Sequence, residues 1–235
     1  EEKMHIFEEM GIDYLIECPF TEEVMHMEPE DFIRMLVERL HVKCIVAGED
    51  FRFGHNRRGD YRMLQEYAGK LGYEALILKK MKEDARDISS TFVREEIAAG
   101  NIEKANHLLG YRYFVKGMVK HGNQIGRTIG IPTINLIPPE EKLLPPFGVY
   151  VSEVAIGEER YQGVTNVGCK PTIEGNNPVG VETYLLDFHE NVYDRIVTVE
   201  FISKIRAEHK FENIEALKEQ MENDIAYTEA YFRNL

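Results

Sequence analysis

The chain reads as an α/β unit followed by a β unit: a partial Rossmann-like domain over residues 1–112, then a six-stranded antiparallel β-barrel with a long C-terminal helix over residues 113–235. Three observations predict this. In the first half, short apolar runs alternate with amphipathic helical stretches, the pattern of a parallel sheet covered by helices. In the second half, short strands of alternating polarity are separated by Gly, Pro and Asn turns, which favours a closed antiparallel barrel. From residue 213 the apolar period changes to that of one helix.

Taken in order, residues 3–11 read as the end of an amphipathic helix and 12–17 as a short buried strand. Residues 28–40 form a helix with Pro29 in its first turn and Phe32, Ile33, Leu36, Val37 and Leu40 on one face. A nearly continuous apolar strand over 42–47 follows, then a helix over 62–71 closed by Gly72 and a strand over 73–78. The loop 48–59 leaves the carboxyl end of a strand, where open α/β sheets bind ligands. Its Arg57 and Arg58 suit phosphates, although the loop also reads as a plain polar connection. Ile88-Ser-Ser-Thr-Phe-Val-Arg94 opens a helix that ends at Gly100. Ser89 or Ser90 suits its N-cap; the free N–H groups there, with Arg94 one turn in, make an anion site or simply an ordinary cap. A short helix over 102–109 precedes strands over 113–120, 133–137, 149–156, 160–167, 181–188 and 196–201. The last helix carries Ile214, Leu217, Met221, Ile225 and Phe232 as a stripe, with Thr228 as its polar interruption.

Bulk properties narrow the function. A formal charge of −13 lacks the basic footprint that a nucleic-acid backbone requires, so no nucleic-acid partner is expected. No apolar run approaches the roughly eighteen residues of a membrane helix and no secretory leader opens the chain, so the expected location is cytoplasmic, with no membrane association. Three cysteines without C-x-x-C spacing favour neither a disulfide framework nor a zinc site, and eight scattered histidines offer no metal motif.

The most informative stretch is 117–136, where Gly117, Gly122, Gly126 and Gly130 fall within fourteen residues ahead of Pro132-Thr133-Ile134-Asn135. Backbone N–H groups in such a loop can approach an anion closely, and Arg127 adds a fixed positive charge. It is not a Walker A loop, since Asn123 and Gln124 stand where Lys and Ser/Thr are required, and a tight turn alone would also account for the glycines. Beyond it, Thr133 and Asn135 point to one face of a strand and present oxygen ligands suited to a hard cation such as Mg²⁺. Glu182 shares a strand face with Tyr184, and by itself reads as a solvated carboxylate.

Ordered motifs give these residues a context: Gly130-Ile-Pro-Thr-Ile-Asn135, Pro146-Phe-Gly-Val-Tyr150, Gly163-Val-Thr-Asn-Val-Gly168 with Pro171-Thr172, Glu182-Thr-Tyr-Leu-Leu-Asp187, and Phe201 through Phe211. Along them the second half resembles riboflavin kinase. The 48–59 loop and Ile88 through Arg94 resemble the FMN adenylyltransferase module of prokaryotic bifunctional FAD synthetases. The resemblance implies a nucleotidyltransferase module ahead of a kinase barrel, with ATP and a flavin (riboflavin or FMN) as small-molecule substrates and Mg²⁺ as cofactor. It implies Glu182 as general base, and ATP contacts from Gly122, Gly126, Arg127, Gly130, Thr133 and Asn135. Thr133 and Asn135 would also hold the metal, while Arg206, Glu208 and Phe211 would contact the flavin in a loop over it. In the adenylyltransferase module, Ser89, Ser90, Thr91 and Arg94 would belong to the ATP site. A non-catalytic flavin carrier is the alternative. Two departures stand out. Asp194 replaces the Gly usual in the family's Leu-Tyr-Gly turn, and the family's His-x-Gly-His segment is absent from these 235 residues, which alone are therefore not expected to adenylate FMN.

Overall fold

A computed structural model describes residues 2–121, 126, 130–169 and 179–235. The chain divides into two compact units, Glu1–Ile88 and Ser89–Leu235.

The first unit contains α1 (Glu2–Glu9), α2 (Glu22–Met25), α3 (Pro29–Leu40), β1 (Cys44–Gly48), β2 (Arg52–Phe53), β3 (Gly59–Asp60), α4 (Tyr61–Leu71), β4 (Glu74–Leu78), β5 (Lys82–Glu83) and β6 (Arg86–Asp87). The Asp60 side chain starts α4 by accepting from Arg62 N and Met63 N at 3.0 and 3.2 Å, and Gly72 closes it at φ 73°. Strands β1 and β4 then pair in parallel, Cys44 opposite Glu74 through Gly48 opposite Leu78. Ile45, Ala47, Ala75 and Ile77 face a core built on Ile33, Phe53, Leu64 and Tyr73. Val46, Leu76 and Leu78, on the other face, are 56%, 48% and 51% exposed. The expected strand over 12–17 does not form: Ile12, Tyr14 and Ile16 are 52%, 87% and 66% exposed. Its apolar composition is strand-like, but no partner strand among the described residues offers it a ladder, and an unpaired extended segment gains no cooperative hydrogen bonding.

The second unit contains α5 (Ser90–Ala99), α6 (Ile102–Leu109), β7 (Phe114–Met118), β8 (Thr133–Leu136), β9 (Gly148–Ile156), β10 (Glu159–Cys169), β11 (Val179–Leu185), β12 (Ile196–Ala207) and α7 (Ile214–Arg233). Its six strands form one antiparallel sheet in the order β7-β12-β9-β10-β11-β8. A bridge between Lys120 and Asn135, with Lys120 N donating to Asn135 O at 2.8 Å, joins the segment after β7 to β8 and brings the two edges together. The enclosed core holds Val115, Tyr150, Val154, Val181, Val199 and Phe201. It also holds a ladder of buried hydroxyls, Ser152 to Thr165 at 2.7 Å and Thr165 to Thr183 at 2.8 Å, in which each polar atom has a partner.

All six expected strands are present, but β12 runs to Ala207 instead of ending at residue 201, so Arg206 lies on a strand and the loop begins only at Glu208. Register shifts between Phe201 and Ser203 and between Lys204 and Arg206 break the two-residue alternation there. Within this unit α6 packs on the sheet. Ile102, Ala105 and Leu108 are buried, Asn106 Nδ2 donates to Phe201 O at 2.8 Å, and Ser203 Oγ donates to Glu103 at 2.5 Å.

Candidate active site

The site is assembled by strand register. On β11, Glu182 lies opposite Asn135 of β8 and Asn166 of β10, while Tyr184 lies opposite Thr133 and Val164. Directly opposed residues in an antiparallel pair share a face, so these six side chains form one platform in two rows. Val181, Thr183 and Leu185, one residue out of phase, are buried in the core. The chain therefore places the Glu182 carboxylate beside a hydroxyl and two side-chain amides. Asn135 is 5% exposed, and its Nδ2 donates to Thr133 O at 3.4 Å.

Two cavities flank this platform. One, of about 430 Å³, is bordered by Thr133, Asn166, Glu182 and Tyr184, by Gly126, and by Arg206, Glu208, His209 and Phe211. Leu217, Met221 and Ile225 of α7 complete its apolar wall. The helix stripe thus faces a cavity, and Ile214, at the first helical position, is 56% exposed. The other cavity, of about 460 Å³, is bordered by Pro132, Thr133 and Asn135 on one side and by residues 188–193 on the other. Thr133 belongs to both walls.

Several details show why particular residues occupy these positions. A Cβ at Gly126 would lie 2.2 Å from Ile131 O, and Ile131 N donates to Gly126 O at 2.8 Å, so the turn before β8 closes too tightly for a side chain. A Cβ at Gly168 would lie 2.4 Å from the Glu208 carboxylate, which rests against that backbone. The Arg206 guanidinium carbon lies 5.7 Å from the Phe211 ring centroid, and the His209 and Phe211 rings are 4.1 Å apart. Beside the second cavity, the Tyr193 ring stacks on His121 at 3.9 Å, and the following Asp194 has φ 62°. Glycine adopts that left-handed conformation most readily, and Asp is among the residues that tolerate it.

Gly126, Thr133, Glu182, Arg206, Glu208 and Phe211 thus border a single cavity, with Asn135 on the adjoining one. Gly130, at φ 82°, closes the turn before β8 without bordering either. Gly122, Arg127, Pro171 and Thr172 lie outside the described residues. The Ser89 hydroxyl caps α5, accepting from Phe92 N at 3.2 Å; Arg94 Nη1 donates to Ser90 Oγ at 3.5 Å, and Ser90, Thr91 and Arg94 are exposed. These four border neither cavity. In the first unit the Arg58 guanidinium is held by the Glu28 carboxylate. Sequence reasoning missed Asn166, Tyr184, His209 and Asp224 of this cavity. Alternation along β10 would have found Asn166; along β11 it already places Tyr184 on the Glu182 face, though not in the site.

A carboxylate in a cavity with an apolar and aromatic wall, which shares Thr133 with a second cavity, is an arrangement for bringing an alcohol acceptor to a second substrate, the layout of a small-molecule transferase. The family model for riboflavin kinase matches residues 109–232, and that for FAD synthetase matches residues 1–92. The chain belongs to the bifunctional riboflavin kinase/FMN adenylyltransferase family. It is 37% identical to the Bacillus subtilis member over 238 residues, covering 100% of this chain and 75% of that protein. It is 38% identical to the Haemophilus influenzae member over 235 residues, covering 99% and 76%. A crystal structure from Streptococcus pneumoniae, named as a macrolide-efflux protein, aligns with a TM-score of 0.85 at 31% identity, covering 97% of this chain and 73% of that one. That name describes the other protein; among the described residues here, no helix is long and apolar enough to cross a membrane.

Proposed function

We propose that residues 113–235 are an ATP:riboflavin 5′-phosphotransferase and that residues 1–112 are part of an FMN adenylyltransferase domain. The observation that carries the kinase reading is that Glu182 and Thr133 lie on one sheet face and border one cavity. In this reading the isoalloxazine ring occupies the cavity walled by Arg206, Phe211 and α7, and ATP enters beside Thr133 and Asn135. The ribityl 5′-hydroxyl then meets the γ-phosphoryl group near Thr133. Glu182 accepts the hydroxyl proton as the oxygen–phosphorus bond forms, and ADP departs with the electrons of the broken bond. Positioning and exclusion of water contribute most of the rate, because the chain has little covalent chemistry to perform.

The donor set near Thr133 fits Mg²⁺. A hydroxyl and an amide oxygen are hard ligands of the kind that cation takes. Thr133 and Asn135 would hold the ion together with phosphate oxygens, and when bound it would neutralise phosphate charge. For the adenylyl transfer carried in the relatives' names, residues 1–92 would act with a His-x-Gly-His segment, a motif that does not occur in the 235 residues.

The test is production of FMN and ADP from riboflavin, ATP and Mg²⁺. Glu182→Gln should lower turnover by about 10² to 10⁴, the range for a lost general base, while leaving riboflavin affinity nearly unchanged. Flavin binding without ADP release by the unaltered chain would overturn the kinase reading. Undiminished turnover in the variant would remove Glu182 from it.

A further inference from the structure

The cavity wall contains a buried carboxylate that the reaction does not use. Asp224, on α7, is 3% exposed, and its two oxygens take the Arg206 guanidinium side-on. Arg206 Nε donates to Oδ1 at 3.0 Å and Oδ2 at 3.1 Å, and Nη2 donates to Oδ2 at 2.8 Å. Gln220 Nε2, one turn earlier on the same helix, donates to Oδ1 at 2.9 Å. The third guanidinium nitrogen, Nη1, donates to Ala207 O at 3.1 Å and lies 3.1 Å from His209 Nδ1. Every nitrogen of Arg206 is therefore engaged, its charge is matched inside the protein, and its plane is fixed beside Phe211. Such a guanidinium is poorly suited to capture a phosphate. It is well suited to act as a rigid, flat cavity wall, because a bidentate carboxylate removes the rotational freedom of the fork.

We propose that Asp224 is a positioning residue for flavin recognition, holding Arg206 as a fixed wall of the aromatic cavity and so tying α7 to the end of β12. This rests on the reading of that cavity as the riboflavin site. Asp224 itself touches no reacting atom. Its effect should therefore fall on riboflavin binding and not on the chemical step.

The experiment is a double-mutant cycle on the full chain using Asp224→Asn, Arg206→Gln and the pair, with riboflavin as probe, read both by quenching of flavin fluorescence and by steady-state kinetics. Each single variant should weaken riboflavin binding and raise its KM about tenfold, the scale of one lost charge-assisted contact to a ligand-facing group. The double variant should be no worse than either single, while kcat and the KM for ATP stay within about threefold of the unaltered chain. Thr228→Val, which removes only the hydroxyl bond to Asp224 O, should leave riboflavin affinity unchanged even if thermal stability falls. Should Asp224→Asn fail to fold, Gln220→Leu decides, with an expected rise in riboflavin KM of about threefold. Unchanged riboflavin affinity in Asp224→Asn, or in Gln220→Leu where that variant decides, would overturn the proposal. So would additive effects in the cycle, or a fall in kcat alone. If the unaltered chain quenches riboflavin fluorescence yet makes no FMN, the kinase reading fails, and the affinities still judge Asp224.

Discussion

At the scale of single residues, Tyr150 shows how the core carries polar chemistry. It is fully buried, its ring meets Phe201 edge-on at 5.5 Å, and its hydroxyl donates to Pro146 O. Burial pushes the phenol up to about 12 from an ordinary 10.0. Because the folded value is the higher one, the stability this group contributes is complete below pH 10 and is lost as pH rises through 10 toward 12. Unfolding followed by circular dichroism should show a midpoint that falls with pH in that window. Tyr150→Phe should cost about 1 kcal/mol at neutral pH and remove Tyr150's share of the alkaline loss. A variant with an unchanged alkaline profile would assign the loss to other groups. The sequence made Tyr150 conspicuous only through its motif. Asp224 was hidden by its own chemistry, since an acid amid Glu222, Asn223 and Asp224 reads as surface. Its spacing from Leu217, Met221 and Thr228 nevertheless puts it on the inward face, and weighing position above residue type would have found it.

At the scale of elements, the strands of the second unit were legible because each alternates between a packed face and a wetter one, and Gly or Pro punctuates the ends. Alternation fails where the backbone bulges, so the last six residues of β12 read as a loop from the sequence alone. The segment 12–17 misled in the opposite way: it has strand composition without a partner, and pairing is a property of two segments that one stretch cannot reveal. Helix α6 is legible from its amphipathic stripe, but nothing in that stripe says which surface it covers; in the structure it packs on β12. Its burial on the sheet has a measurable consequence. A fragment of residues 89–235 should unfold cooperatively in urea, whereas residues 113–235 should be less stable by several kcal/mol. Loss of a buried aliphatic side chain such as Ile102 alone costs about 2–5 kcal/mol, and Ile102 is 0% exposed. Equal urea midpoints would show that α6 adds nothing to the sheet's stability.

For the molecule as a whole, both cavities are formed within the second unit, and the first unit presents a two-stranded sheet with one apolar face open to solvent. The alternating helices and strands were legible in the first unit, yet how many strands pair there was not, because a parallel sheet is completed by segments distant in sequence. In the second unit the register of β8, β10 and β11 turns separate motifs into one surface, and Thr133 stands where its two hollows meet. Under the proposed function, that shared threonine predicts that the hollows are thermodynamically linked: a ligand that settles β8 from one side would prepare it for the other, and reciprocity would require the same factor in both directions. Riboflavin titrations with and without a non-hydrolysable ATP analogue should differ by about fivefold or more in dissociation constant, and Thr133→Val should reduce that ratio. A ratio of one in the unaltered chain would mean that the two occupants ignore each other, and that their common threonine is merely a boundary.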